Sequence, residues 1–316
     1  MRAKAGYQTT LRERATVSGR GVHSAVPAQI VLQPADADSG VVFLRTGLPG
    51  GRERLLEARR SNVTQTSLCT VLGDATGASV STVEHLLAAL SGLQIDNALI
   101  EIDGPETPIM DGSAAAFVDA IDQVGVVQQS RPRRYLKILK PVRVERGGGY
   151  AEFLPADAGF RLDVEIDFPS RAIGRQRRVF NVDAATFRRE IARARTFGFV
   201  SDVQKLWQAG FALGSSLENS VALDGDEILN PEGLRYADEF VRHKALDAIG
   251  DLSLARAPIV GVYRTYKPGH NLNAMALEVL FRDRSAYAYV EASAKPIFAA
   301  LGGARAPAAA AAFAPE

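Results

Sequence analysis

Four histidines occur in this chain, His23, His85, His243 and His270, and the neighbours of three of them are residues that can do chemistry. Glu84-His85 stands in T-V-E-H-L-L-A-A (82–89) and looks like an H-E-x-x-H zinc helix that lacks its second histidine. Such a helix puts two imidazoles one turn apart on one metal while the glutamate faces the water. Here only leucines and alanines follow, so a metal would need ligands from elsewhere. The stretch R-H-K-A-L-D-A-I-G-D (242–251) offers them, with His243, Asp247 and Asp251 four residues apart on one helix face. Ala245, Leu246, Ile249 and Leu252 flank that face, and an acid buried among them needs a compensating charge. A cation is one compensator. The alternative is a solvent-facing acidic stripe paired with Arg242 and Lys244.

Two imidazoles and one carboxylate are the ligand set of a catalytic zinc, which keeps its fourth position for water. Glu84 is then placed to act as general base. His270, in K-P-G-H-N-L-N (267–273), lies where a loop enters a helix, and the helix N-terminus disfavours a protonated imidazole. A nearby carboxylate must hold it charged, and Asp251 is the candidate; otherwise His270 only turns the chain. His23, in G-V-H-S, sits in a turn and is expected at a pocket edge or in a structural role rather than on a metal.

Composition narrows the class. Apolar residues make up 47% and charged residues 23% of the 316 positions, as in a soluble globular protein long enough for two domains. Lysine and arginine number 37 against 36 acids, so the net charge of +1 gives no reason to expect nucleic-acid binding. The single Cys69 is too few for a disulfide or a thiolate-rich structural zinc, and M-R-A-K-A-G-Y-Q-T-T lacks the apolar core of a signal peptide. A cytoplasmic location follows. No apolar run reaches the ~18 residues of a membrane span, so any membrane is touched from outside.

The periodicity supplies elements to carry these residues. Strands are predicted at 8–17, 29–32 and 41–44, then a helix over 81–93 with Ser81 and Thr82 as caps. A strand at 97–102 follows, and Asp111-Gly112-Ser113 opens a helix over 114–121. The polar Q-Q-S-R-P-R-R (128–134) is read as a linker that separates domains at 1–130 and 131–302. Beyond it come strands at 136–144, 150–153, 161–168 and 178–182, a helix at 184–194 and a long helix at 236–254. A strand at 259–266 and a helix at 270–281 complete the series, and the Ala-rich 303–316 is expected to be disordered. Both halves run helix with an early His, strand, helix. That order fits two similar α+β domains with a cleft between them.

Taken together, these motifs resemble the zinc-dependent UDP-3-O-acyl-N-acetylglucosamine deacetylase family of lipid A biosynthesis. The resemblance runs through G-R-G-V-H-S (19–24), S-T-V-E-H-L-L-A-A-L-S-G-L (81–93), P-E-T-P-I-M-D-G-S-A (105–114) and R-A-R-T-F-G-F (193–199). It continues in D-E-F-V-R-H-K-A-L-D-A-I-G-D-L (238–252) and G-H-N-L-N (269–273). It implies Zn2+ on His85, His243 and Asp247, Glu84 as base, and a protonated His270 with Asp251 as its partner. It also implies Thr196 on the oxyanion, and substrate contacts from Lys244, Phe197, Gly198, Phe199 and Asn273.

The family's fold is two similar α+β domains, each a sheet packed on two helices, with the helix layers facing each other around the zinc. An inserted β-α-β unit at about 197–223 in the second domain is expected to form the acyl passage, lined by Phe197, Phe199, Val203, Leu206, Trp207, Phe211 and Leu213. The implied reaction is hydrolysis of the sugar's N-acetyl group in a UDP-acyl-sugar, the committed step of lipid A biosynthesis, by a monomer. Either Glu84 or His270 then protonates the leaving amine. Arg134, Arg193, Arg195 and Lys244 are candidates for the UDP diphosphate, with a solvated basic face as the alternative.

Overall fold

The computed structural model describes residues 6–292; the segment 303–316, expected to be disordered, lies outside them. The chain forms an α+β structure with two main sheets. In the first, the strand order is Ala15–Arg20, Pro27–Pro34, Ala98–Ile102, Val41–Leu48, Arg52–Glu57. Only the pair Val41–Leu48 and Ala98–Ile102 is parallel. The second sheet contains the same path: Val142–Arg146, Gly149–Leu154, Ile259–Tyr266, Phe160–Asp167, Arg175–Asn181. Along this path again only the third and fourth strands run parallel. The helix–strand–helix correspondence seen in the sequence therefore extends to the whole sheet topology. Arg134–Ile138 joins the second sheet by a short parallel pairing with the start of the central strand Ile259–Tyr266, and Tyr287–Glu291 pairs antiparallel with Arg134–Ile138.

Among the described residues six α-helices accompany these sheets: α1 (Glu84–Gly92), α2 (Ala115–Val124), the single turn α3 (Ala184–Thr186), α4 (Val200–Gln208), α5 (Glu239–Leu252) and α6 (His270–Arg282). α2 packs on the first sheet, α5 and α6 pack on the second, and α1 meets α5 between them. Of α1 only Ser91 escapes burial, and of α5 only Lys244. A helix covered on every side belongs to the core. The acids of α5 therefore do not form a solvent-facing stripe.

Several boundaries differ from expectation for identifiable reasons. Residues 128–134 are not an irregular linker: Val126–Pro132 is a strand paired antiparallel with Tyr7–Leu11, and the passage to the second sheet occurs at Arg133. Ser81 and Thr82 do not cap α1, whose N-cap is Val83. Thr82 instead has φ +56 and gives its hydroxyl to Glu106 Oε1 at 2.8 Å. The helix expected at 184–194 is α3, capped by the Asp183 carboxylate, followed by a π turn at Phe187–Ile191. The long helix starts at Glu239 rather than 236.

The contact of α1 with α5 depends on Gly250. A Cβ there would lie 2.0 Å from the Glu84 carbonyl oxygen and 3.0 Å from its Cα. Backbone on both sides leaves no flexible atom to yield. Alanine gains about 1 kcal/mol in helix propensity, whereas overpacking costs roughly 1–3 kcal/mol or more. Gly250→Ala should therefore lower unfolding stability in urea by about 1–3 kcal/mol. It should also weaken metal uptake by pushing the Glu84-His85 end from Asp247; unchanged stability and metal content would refute this close approach.

Candidate metal centre and its acid–base neighbours

His85 from α1 meets His243 and Asp247 from α5, and one donor atom from each lies within 4.8 Å of the others. Nε2 of His85 and Nε2 of His243 are 3.6 and 3.3 Å from Asp247 Oδ1. The imidazole rings stand nearly perpendicular, 5.0 Å apart. His243 Nδ1 is 3.0 Å from the Ala194 carbonyl, which can only accept, so the proton sits on Nδ1 and the Nε2 lone pair is free. Burial depresses the His243 pKa to about 3, which keeps the ring in its ligand form. Burial works against ionisation of Asp247, yet the Lys244 ammonium on its other oxygen holds the carboxyl well below the usual range. Its Oδ1 has no hydrogen-bond partner. A buried carboxylate oxygen facing two imidazole nitrogens, with no donor, fits a divalent cation. Cys69, the one thiol, is pushed up to about 12 by burial and by Glu84, so a thiolate is not on offer.

Glu84 lies beside this trio and is almost fully buried. Its Oε2 accepts from the Thr70 backbone N–H at 3.0 Å, and its Oε1 is 3.6 Å from His270 Nε2. Burial raises its pKa, against the opposing charge of His270. His270 opens α6 and places Nδ1 2.9 Å from Asp251 Oδ2. Burial alone would lower its pKa, but Asp251 and Glu84 outweigh that and raise it to about 10. Asp251 in turn accepts from Thr70 Oγ1 at 2.6 Å and from Asn273 Nδ2 at 2.8 Å. Tyr263 donates to Asn273 Oδ1 at 2.7 Å. Asn273, expected among the substrate contacts, is thus fully buried and positions Asp251 instead.

Thr196 is half-buried, and its hydroxyl has no partner among the described residues. Its backbone is fixed on both sides, by Gly112 O and by Val221 N–H, each at 2.8 Å. Lys244 is turned toward Asp247 Oδ2, to which it donates at 2.7 Å, with Phe197 5.6 Å away. Phe197 packs edge-on against Phe168, Phe240 and His243. The inserted unit is a β-α-β: Phe197–Phe199, α4, then Val221–Asp224 parallel to the first strand. Trp207, Phe211 and Leu213 remain exposed, Trp207 by 50%, whereas Val203 and Leu206 are half-buried. A Cβ on Gly198 would meet only the Val203 side chain, at 3.7 Å.

The insert reaches the first half through the G-V-H-S turn, where Leu213 and Gly214 donate to the His23 and Val22 carbonyls at 3.1 and 3.0 Å. His23 stacks edge-on with Phe211 and keeps a buried, unpartnered Nδ1 at the edge of the site. Arg195 is no diphosphate ligand. It is buried, paired with Glu239 at 2.9 Å, and bonded to Glu232 and the Gly233 carbonyl. Arg134 is also elsewhere, stacked on Tyr289 beyond the C-terminal end of α6. Arg193 is exposed. Sequence reasoning missed Thr70, which serves both Glu84 and Asp251, and the Ala194 carbonyl. A threonine in S-L-C-T has no distinguishing spacing, and a backbone carbonyl has no sequence signature.

Residues 8–282 match the family model described as UDP-3-O-acyl N-acetylglycosamine deacetylase. Proteins named UDP-3-O-acyl-N-acetylglucosamine deacetylase from Brucella ovis, Brucella suis biovar 1 and Brucella melitensis biotype 2 are each 50% identical over 287 residues. Those alignments cover 90% of this chain and 99% of each relative. With nearly its whole length matched and the His-His-Asp cluster assembled from both halves, the chain belongs to the UDP-3-O-acyl N-acetylglycosamine deacetylase family.

Proposed function

We propose that this chain hydrolyses the N-acetyl amide of UDP-3-O-acyl-N-acetylglucosamine, releasing acetate and the free amine, the committed step of lipid A biosynthesis, with zinc as its metal. The observation that carries the metal assignment is the partnerless Asp247 Oδ1 between two imidazole Nε2 atoms. Two histidines and one carboxylate with no thiolate suit a catalytic zinc better than a structural one. A zinc ion held there would supply a more acidic water and a polarised amide carbonyl. The lone buried Cys69 agrees with a reducing, cytoplasmic setting. No helix among the described residues is long and apolar enough to cross a membrane.

Glu84 takes the proton of the attacking water through Oε1, since Thr70 engages Oε2. Its burial makes it a stronger base than an exposed carboxylate. His270, kept protonated by Asp251 and Glu84, directs Nε2–H into the same space and stabilises the oxyanion as the carbonyl becomes tetrahedral. The free Thr196 hydroxyl is a second donor for that oxygen. Collapse breaks the C–N bond, and a proton from this pair passes to the sugar amine. The open aromatic face of the insert, with Trp207 and Leu213, receives the 3-O-acyl chain.

Glu84→Ala should cut kcat by roughly 10²-fold or more with bound zinc near one per chain. Replacing His85, His243 or Asp247 by Ala should lose the metal itself. Zinc analysis and deacetylation assays on the same samples separate these classes, and wild-type turnover in Glu84→Ala would sink the mechanism. Substrates with and without the acyl chain should differ chiefly through the insert.

The alkaline limb of the pH profile is assigned to His270. Removing the Asp251 charge lowers the His270 pKa, because the protonated ring loses its nearest anion. Asp251→Asn should therefore move the alkaline limb of kcat/KM to lower pH by about one unit or more, besides reducing turnover. An unmoved limb would assign the alkaline ionisation to another group.

A further inference from the structure

A cavity of about 780 Å³ lies apart from the candidate metal centre, and none of the residues of that centre lines it. It is bounded by the C-terminal half of α1, the turn after α5, the end of α6 and the strand Tyr287–Glu291. Phe281 on its wall is eleven residues past His270 on α6, about 16 Å along a helix. Six arginines line it, Arg59, Arg60, Arg131, Arg134, Arg256 and Arg284, against three acids, Asp38, Asp96 and Glu291. The ends of α1, α5 and α6 bring roughly half a negative charge each, which offsets part of this excess but not all.

The arginines are not equally engaged. Arg60 is paired with Glu278, Arg131 with Asp38, and both Arg59 and Arg256 with Glu57. Arg134 stacks on Tyr289 at 4.7 Å, and neither it nor Arg284 has a carboxylate partner among the described residues. Arg60 in turn lies over the Phe281 ring at 4.6 Å, so two of the guanidinium groups are held on aromatic faces of the same wall, which Arg284 also lines. Guanidinium forks held beside aromatic rings, with two left unpaired, match the planar oxygens of phosphate. The volume lies within the range of small-molecule sites.

We propose that this cavity binds an anion carrying two or more phosphate charges, at a site separate from the reacting centre and formed by both halves of the molecule. Such an anion bridges Arg59 and Arg60 of the first half to Arg134 and Arg284 of the second, across a cavity that the last turns of α1 and α6 also border. The source is either a soluble phosphorylated metabolite or a phospholipid headgroup.

The test uses the zinc-loaded full chain and inorganic pyrophosphate, titrated calorimetrically at fixed ionic strength. Saturable binding is expected, weakened about tenfold or more in the R134Q/R284Q variant while deacetylation without added anion is unchanged. Absence of binding, or binding that the variant leaves intact, overturns the proposal. Vesicles of phosphatidylcholine with and without phosphatidic acid distinguish the sources. Sedimentation with the acidic vesicles that is lost in R134Q/R284Q identifies a headgroup, whereas pyrophosphate binding that acidic vesicles do not compete identifies a soluble ligand.

Discussion

Three acids, Glu84, Asp247 and Asp251, are buried where α1 crosses α5, and among the described residues two cations, Lys244 and the protonated His270, engage them directly. A group of like charges in a low-dielectric interior is unstable unless each has a partner. The pattern of partners decides what each acid can do. Asp251 is saturated by Thr70, Asn273 and His270, and so only orients and charges the imidazole. Glu84 retains one free oxygen. Asp247 has one oxygen on Lys244 and the other on no donor at all. In the proposed function the three carboxylates are thereby differentiated as orienter, base and ligand by neighbours rather than by type.

Because the donor trio draws His85 from one half and His243 with Asp247 from the other, the relative placement of α1 and α5 must be fixed closely. Several buried polar clasps do this. Arg133, at the passage between sheets, donates to both oxygens of Asp96 and to the Gln94 carbonyl just after α1. Glu106 accepts from the backbone of His23 and Ser24 and from the Thr82 hydroxyl, linking the turn that touches the insert to the residue two before Glu84. A buried carboxylate with this many donors is costly to rearrange, which suits a scaffold that must hold two imidazoles within reach of one ion.

Much of this was legible in the sequence because it is written in spacing. The i, i+4, i+8 row of His243, Asp247 and Asp251 and the apolar period around it determine both the helix and the face. What could not be read depends on contacts between distant segments. Thr82 looked like a cap, but Glu106, far along the chain, claims its hydroxyl. Residues 128–134 looked like a linker because a strand that pairs at a sheet's margin needs little apolar content. Arg195 looked like a free cation in a basic run, and only the fold brings Glu239 and Glu232 to it. Asn273 carried the family's motif correctly, yet its burial behind Asp251 gives it a positioning role. The family resemblance supplied the chemistry, and the contacts redistributed it among the residues.

The repeated sheet topology explains why the site is asymmetric. In each half a central strand leads into a second helix, Ala98–Ile102 toward α2 and Ile259–Tyr266 toward α6. In the second half the start of that helix carries His270, aimed at Glu84. In the first half the equivalent turn is Asp111-Gly112-Ser113, and it holds the insert rather than a proton donor. The Gly112 carbonyl fixes Thr196, a Cβ on Gly112 would strike the Asn219 carbonyl at 1.9 Å, and Asp111 pairs with Arg235 at 2.7 Å. One copy of the repeated connection thus brings an imidazole to Glu84 and the other anchors the inserted unit. An alteration at residues 111–113 should consequently act on Thr196 and the insert, not on the metal donors, although both strand-to-helix turns occupy corresponding places in the fold.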